Sequence, residues 1–386
     1  MGVKINFITK IEKIENIPKE ERERLKKVTQ RFPFRTNEYY LSLIDWNDPN
    51  DPIKRISIPS EKELIEWGDL DPSSEKSYTK LKGLEHKYTD TCILLLTDVC
   101  AMYCRFCFRK RLFMHHGAEI TLKVDEVISY IKAHPEINNV LLTGGDPLLL
   151  ATPKLAMVLK ELSKISHVRV VRIGSKIPAS YPFRILEDQA LLELFTDFNE
   201  KNPDKRLYLM THFNHPKELT SYAKEAIKLV QKTGTILCNQ TPILRGINDN
   251  KETLKTLAEE LTALGVAPYY FFQCRPVLGN RHFVVPIEKA LDILDKVRSE
   301  VSGLAGRFRY VKSHKTGKIE ILGKWGDFVL FKYIRAANPE YRARLFACKE
   351  NPEALWLEDY EEIVPVNRIS KSLVKSPSKA LSLCLS

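Results

Sequence analysis

Cys100, Cys104 and Cys107 fall within eight positions, in CAMYCRFCFRKR, with three residues between the first two and two between the second pair. Thiolates are ligands for zinc and iron, and three in so short a loop point to one inorganic centre. On a tetrahedral metal they leave one position open. On a 4Fe–4S cluster they leave one iron without a protein ligand, free to take a small molecule, which is a catalytic arrangement. His115 and His116 are badly spaced to complete a zinc site, whereas Tyr103 and Phe106 suit a cluster shielded from water. Cys92, Cys238, Cys274, Cys348 and Cys384 are scattered singly and read as small buried residues in a reducing compartment.

Other chemistry-bearing segments sit at the ends of apolar runs. The cysteine loop follows TCILLLT (91–97), GGDPL (144–148) follows NVLLT, and RIGSKIP (172–178) overlaps the end of HVRVVRI. THFNHP (211–216) overlaps RLYLMTH, and NQTPILRGIND (239–249) overlaps TILCNQ; a sixth run is APYYFFQ. Continuous apolar runs of this length are strands buried on both faces. Between them lie helical periods: Val124, Val127, Ile128 and Ile131; Leu155, Val158, Leu159 and Leu162, with Thr152 as N-cap; Leu254, Leu257, Ala258 and Leu261. The helix after His215 should end at Gly234 as its C′ residue. Six strand–helix units imply a parallel sheet with right-handed crossovers, open or partly closed into a barrel, with the motifs at the carboxyl ends of its strands.

In that order, and with LLLTDVCAMYCRFCFRKR, these segments resemble the radical S-adenosylmethionine (SAM) superfamily and, over roughly residues 80–300, its lysine 2,3-aminomutase family. The resemblance implies a partial (β/α)6 barrel in which a reduced cluster on Cys100, Cys104 and Cys107 cleaves SAM. The resulting 5′-deoxyadenosyl radical would abstract a substrate hydrogen and start a 2,3-amino migration on an amino acid. Gly144, Gly145 and Asp146 would contact the SAM methionine, His212 and Gln240 would be further SAM contacts, and Arg109 would bind the substrate carboxylate. Pyridoxal phosphate (PLP) is implied as well: Lys318 falls near the family's PLP lysine, although it also reads as an ordinary lysine in a hairpin turn. On the phosphate side, HKYTDT keeps one cation, Lys87, and has Thr91 in place of the other. Where lysine-specific members carry two aspartates, this chain has Arg275 and Lys312, which disfavours an ammonium there and favours a distal carboxylate or neutral group; glutamate is the simplest such substrate. The family's zinc cysteines are absent, with Asn250 at one of their positions, so neither zinc nor a zinc-stapled tetramer is expected. A flavodoxin- or ferredoxin-type donor would supply the electron. The alternative is a PLP-independent radical SAM enzyme acting on another substrate, such as a protein residue.

The chain has 386 residues, 44% hydrophobic and 28% charged, a globular profile, and its net charge of +11 is spread among interleaved acids. No basic–aromatic stripe points to nucleic acid. No apolar run reaches the ~18–20 residues of a membrane span, and MGVKINFITKIEKIE lacks the features of a secretory signal, so a cytoplasmic protein is expected. The expected organisation is a helical N-terminal extension (1–85), the barrel (86–300), a β-hairpin and helical region closing the active site (301–365) and a flexible tail (366–386). Oligomeric state is left open.

Overall fold

Residues 5–121, 123–361 and 363–365 are described in the computed structural model; the tail expected at 366–386 lies outside the described residues. Phe7–Ile8 (β1) and Thr36–Asn37 (β2) make a short antiparallel pair. The other strands form one thirteen-stranded sheet in chain order: β3 (Thr79–Leu81), β4 (Leu84–Tyr88), β5 (Thr91–Thr97), β6 (Asn139–Gly144), β7 (Val170–Ser175), β8 (Arg206–Thr211), β9 (Ile236–Ile243), β10 (Ala267–Gln273), β11 (Arg309–His314), β12 (Gly317–Trp325), β13 (Phe328–Ala336), β14 (Leu345–Lys349) and β15 (Ile363–Pro365). Strands β5 to β11 are parallel. Each of β5 to β10 is followed by a long helix, from Val124–Ala133 to Ile287–Glu300, giving the six expected strand–helix units.

The periodic residues do what their spacing requires. Val127, Ile128 and Ile131 of the first of these helices, and Leu155, Val158, Leu159 and Leu162 of the second, are buried in one core with Leu94, Val140, Leu142 and Val171 of the sheet. Gly234 has φ +76° and ends the helix Ser221–Lys232 as anticipated. Thr152 is not the N-cap of its helix; Ala151 is. The Thr152 hydroxyl donates instead to Asp188 at 2.7 Å, and Asp188 caps the next long helix through Leu191 N.

Both flanks differ from expectation. The N-terminal region is not only helical: β3 and β4 run antiparallel to one another and to β5, so the barrel sheet begins before residue 86. Arg309–His314 is one arm of a hairpin with β12, but it also pairs in parallel with β10 as a seventh strand. Strands β12 to β15 then continue antiparallel. The sheet curls until β11–β13 face β4–β5, and that side is joined by side chains. Lys87 Nζ donates to His314 O at 2.7 Å, Tyr78 OH to Lys315 O at 2.8 Å, Ser73 Oγ to Ser313 O at 3.1 Å, and Arg335 to Thr91 Oγ1 at 3.2 Å. Among the described residues no helix is long and apolar enough to cross a membrane.

The N-terminal region also supports the cysteine loop. Met102 and Phe106 pack with Phe32, Ile56 and Phe283. Arg105, between two of the cysteines, is gripped by the buried Glu63 through two hydrogen bonds of 2.9 and 2.7 Å, and donates to Pro33 O. Removing one partner of a fully buried ion pair leaves the other charge uncompensated, at a cost of about 3–5 kcal/mol. Glu63→Ala is therefore expected to destabilise the protein by about that amount in urea titrations; a loss below about 1 kcal/mol would show that water reaches Arg105.

Candidate active site

One cavity of about 360 Å³ occupies the barrel interior and reaches the cysteine loop. Of the thirteen residues singled out in the sequence, twelve line it: the three cysteines, Lys87, Arg109, Gly144, Gly145, Asp146, His212, Gln240, Arg275 and Lys318. Lys312 does not. On β11 its neighbour Ser313 faces the cavity, and strand alternation turns Lys312 to the opposite side. There its Nζ lies 4.3 Å from the centroid of the Trp356 ring, fully buried and without a hydrogen-bond partner.

Cys100, Cys104 and Cys107 are free thiols in a turn closed by Cys107 N to Cys104 O at 3.0 Å. Burial pushes all three thiols up, Cys104 to about 12. As thiolates they need a cation to take their charge. Among the described residues no three His, Cys, Asp or Glu side chains converge on a single ion. The three cysteines all line the cavity, and three thiolates suit a polynuclear cluster in which each meets its own iron.

The glycines of GGDPL are required by contact with this loop. Gly145 N donates to Thr97 O at 2.6 Å and Asp146 N to Val99 O at 2.8 Å. A Cβ on Gly145 would lie 2.4 Å from Val99 O, and one on Gly144, at φ +116°, 2.3 Å from Thr97 O. The Asp146 carboxylate is occupied within the protein. It accepts from Ser175 Oγ and Lys176 N, both at 2.7 Å, and from Leu148 N, tying the turn to the end of β7, while burial pushes it up to about 6. His212 lies edge-on to Phe106 and is held neutral, burial and the Lys176 charge pulling it down to about 3. Among the described residues no hydrogen bond engages the Gln240 side-chain amide, which lines the cavity.

Two charged networks were not evident in the sequence. Lys176, inside RIGSKIP, donates to His212 O, Asn214 Oδ1 and Glu218 Oε1, and Tyr40 OH donates to the same Glu218 oxygen at 2.6 Å. Glu75 is the second centre. Arg109 grips it with Nε at 3.0 Å and a terminal nitrogen at 2.9 Å, Arg111 donates at 2.8 Å, and Arg275 stands 3.9 Å away. Burial alone would raise the Glu75 carboxyl, but Arg109, Arg111 and Arg275 hold it well below the usual carboxylate range. Nearby Glu85 is pushed up to about 8 by burial and by the Glu75 charge. Arg109 is thus paired with protein, with further contacts to Thr143 at 3.2 Å and to Glu85 at 3.8 Å. Arg275 is freer: its guanidinium stacks 3.6 Å from the Phe108 centroid, and Nη1 has no hydrogen-bond partner. Lys318 is not in a hairpin turn. It sits on β12 against the cavity, 4.3 Å from the Tyr270 centroid, its ammonium pulled well down by burial and then by Arg172, Arg275, Arg335 and Lys87.

Residues 94–258 match the Radical SAM superfamily. A protein of Aquifex aeolicus named "Putative L-lysine 2,3-aminomutase" is 60% identical over 372 residues, 96% of this chain and 99% of that one. L-lysine 2,3-aminomutase of Clostridium subterminale is 38% identical over 78% of this chain and 71% of its own length. Glutamate 2,3-aminomutase of Clostridioides difficile is 38% identical over 81% and 73%.

Two outcomes follow from this geometry. Gly145→Ala forces the cysteine-loop backbone aside, so the protein should retain its circular-dichroism spectrum but take up far less iron and sulfide on anaerobic reconstitution, approaching Cys104→Ala. Full iron loading of Gly145→Ala would show that the loop yields without cost. Lys312 gives a pH effect. Burial pulls its ammonium from 10.5 to about 7, so between those values the unfolded chain holds more of a proton than the folded one. Stability should therefore rise as pH goes from 7 to 10. Lys312→Met removes that rise and should be more stable at pH 7 by about 1–4 kcal/mol in urea; a less stable variant would show the ammonium to be satisfied.

Proposed function

Because the chain belongs to the lysine 2,3-aminomutase family of radical SAM enzymes, we propose that its cavity works on an amino acid with an acidic distal end, using PLP held at Lys318. The enzyme is a radical SAM isomerase that moves an amino group on an amino acid, and 4Fe–4S and SAM are the cofactors of its superfamily. When bound, the cluster and SAM supply the hydrogen-abstracting radical, and PLP carries the migrating amino group.

The chain's own residues divide the work. Cys100, Cys104 and Cys107 hold the cluster, and the Gly144–Asp146 turn keeps their loop in place. His212, uncharged, and the Gln240 amide offer hydrogen bonds to SAM without adding charge. Arg109, fixed by Glu75, offers its remaining donors to the α-carboxylate. Lys318, whose ammonium form is disfavoured by burial and then by the neighbouring cations, is an amine placed to take the PLP aldehyde. The cavity walls keep water from the radical. Free cysteines throughout the described residues suit a reducing, cytoplasmic setting with a flavodoxin- or ferredoxin-type donor.

The observation that carries the substrate reading is Arg275. The Arg275 guanidinium stacks on Phe108, and its Nη1, 3.9 Å from Glu75, makes no hydrogen bond among the described residues; it gains a charge-assisted bond from a carboxylate and repels an ammonium. Burial lowers it only to about 10, so it stays charged at neutral pH. The competing substrate is L-lysine, the substrate in the names of several relatives; buried Glu85, on the cavity wall, would be the group to meet its ammonium. In a competition between L-glutamate and L-lysine with reconstituted enzyme, glutamate should be isomerised and lysine nearly inert. Arg275→Asp should lower glutamate kcat/KM by at least about 100-fold, the scale of a lost charge-assisted contact. Efficient turnover of lysine with glutamate inert would overturn the assignment.

A further inference from the structure

The cavity is unbalanced in charge. Lys87, Arg109, Arg172, Lys176, Arg275, Lys318 and Arg335 line it against the carboxyls Glu75, Glu85 and Asp146. Glu75 is committed to Arg109 and Arg111, and Asp146 to Ser175 and backbone N–H groups. The surplus gathers around Lys318. Ser313, Lys318 and Arg335 are register partners on β11, β12 and β13 and all face the cavity, forming one row across its closing side. The end of that row reaches β5, where Arg335 donates to Thr91 Oγ1 and to Asp90. Arg172 enters from β7. Its Nε donates to Asn139 Oδ1 at 2.8 Å, and its terminal nitrogens make no hydrogen bond among the described residues. Each of Arg172 and Arg335 lies within reach of the other's charge. Lys87 completes the ring from β4, its ammonium spending its contacts on the carbonyls of His314 and, more loosely, Ser73.

A phosphate monoester near neutral pH carries close to two negative charges and several acceptor oxygens, and it calls for convergent cations. Position 91 offers only a hydroxyl. We propose that Arg335 and Arg172, together with Lys87, bind the phosphate of PLP, with Arg335 delivering from β13 the charge that Thr91 does not supply. The assignment rests on the reading that PLP is held at Lys318. It gives the C-terminal strands a second task beside closing the barrel: they bring both the PLP lysine and a phosphate ligand, one row apart. Asp90 then competes with the phosphate for the same guanidinium.

Equilibrium binding of PLP and of pyridoxal, which lacks the phosphate, to the full-length protein separates the claims, with borohydride trapping and peptide mass analysis to locate the adduct. The wild-type protein should bind PLP at least 100-fold more tightly than pyridoxal, with the trapped adduct on Lys318. Arg335→Gln and Arg172→Gln should each weaken PLP at least tenfold while changing pyridoxal less than twofold, and Arg335→Lys should recover part of the loss. Asp90→Asn removes the competing carboxylate and should tighten PLP, whereas a merely structural Asp90–Arg335 pair predicts weaker binding. PLP trapped on Lys318 with unchanged affinity in both Gln variants overturns the phosphate assignment alone. Absence of a Lys318 adduct in the wild type overturns the PLP reading itself.

Discussion

A single carboxylate, Glu75, holds the charged half of the active site together. It receives two guanidinium groups from the cysteine loop, Arg109 and Arg111, and stands close to a third, Arg275, beyond β10. Like charges gathered in a low-dielectric cavity repel strongly, and only an ionised, tightly hydrogen-bonded acid among them makes the arrangement tolerable. Glu75 comes from the N-terminal region, Arg109 and Arg111 from the loop after β5, and Arg275 from the segment after β10. The cysteine loop, the segment after β10 and the N-terminal region therefore share one ionic anchor.

Aromatic rings take up part of the charge that carboxylates do not. Arg275 lies on Phe108, Lys318 over Tyr270 and Phe272, Lys87 over Tyr78, and Arg335 over Tyr88. A ring face attracts a cation without neutralising it. Lys87 and Lys318 are thus held in place with their charge still available to an incoming anion, whereas Arg335 is also paired with Asp90.

The sequence made the chemistry legible where it is local. The cysteine spacing, the motifs at strand ends and the six strand–helix units all depend on neighbours a few residues apart, and the structure repeats them. What escaped depends on parity and on distant partners. Lys312 reads from sequence as a substrate residue, but in a strand a one-residue offset turns a side chain to the other face; Ser313 has the cavity instead. Thr152 had the right type and place for an N-cap, yet Asp188 draws its hydroxyl away. Asp146 faces the site but spends its carboxylate on Ser175 and Lys176. Glu75, the Lys176–Glu218–Tyr40 chain and Arg335 carry no signature in sequence, because their partners lie 34 to 245 residues away.

The closing side of the barrel has a consequence for how the molecule comes into being. Its ties between the β4–β5 side and β11–β13 span 227 to 253 residues of chain. Contacts of such span pay their loop-closure entropy late; a chain made from its N-terminus must finish β11 before the two sides begin to meet, and β13 before Arg335 adds its tie. Until then the cysteine loop and its glycine turn can assemble on the early strands, but the chamber beside them is open to solvent along one flank. The growing protein thus has its three clustered cysteines in order well before the chamber beside them is walled off, and maturation is divided in time by the order of the strands themselves.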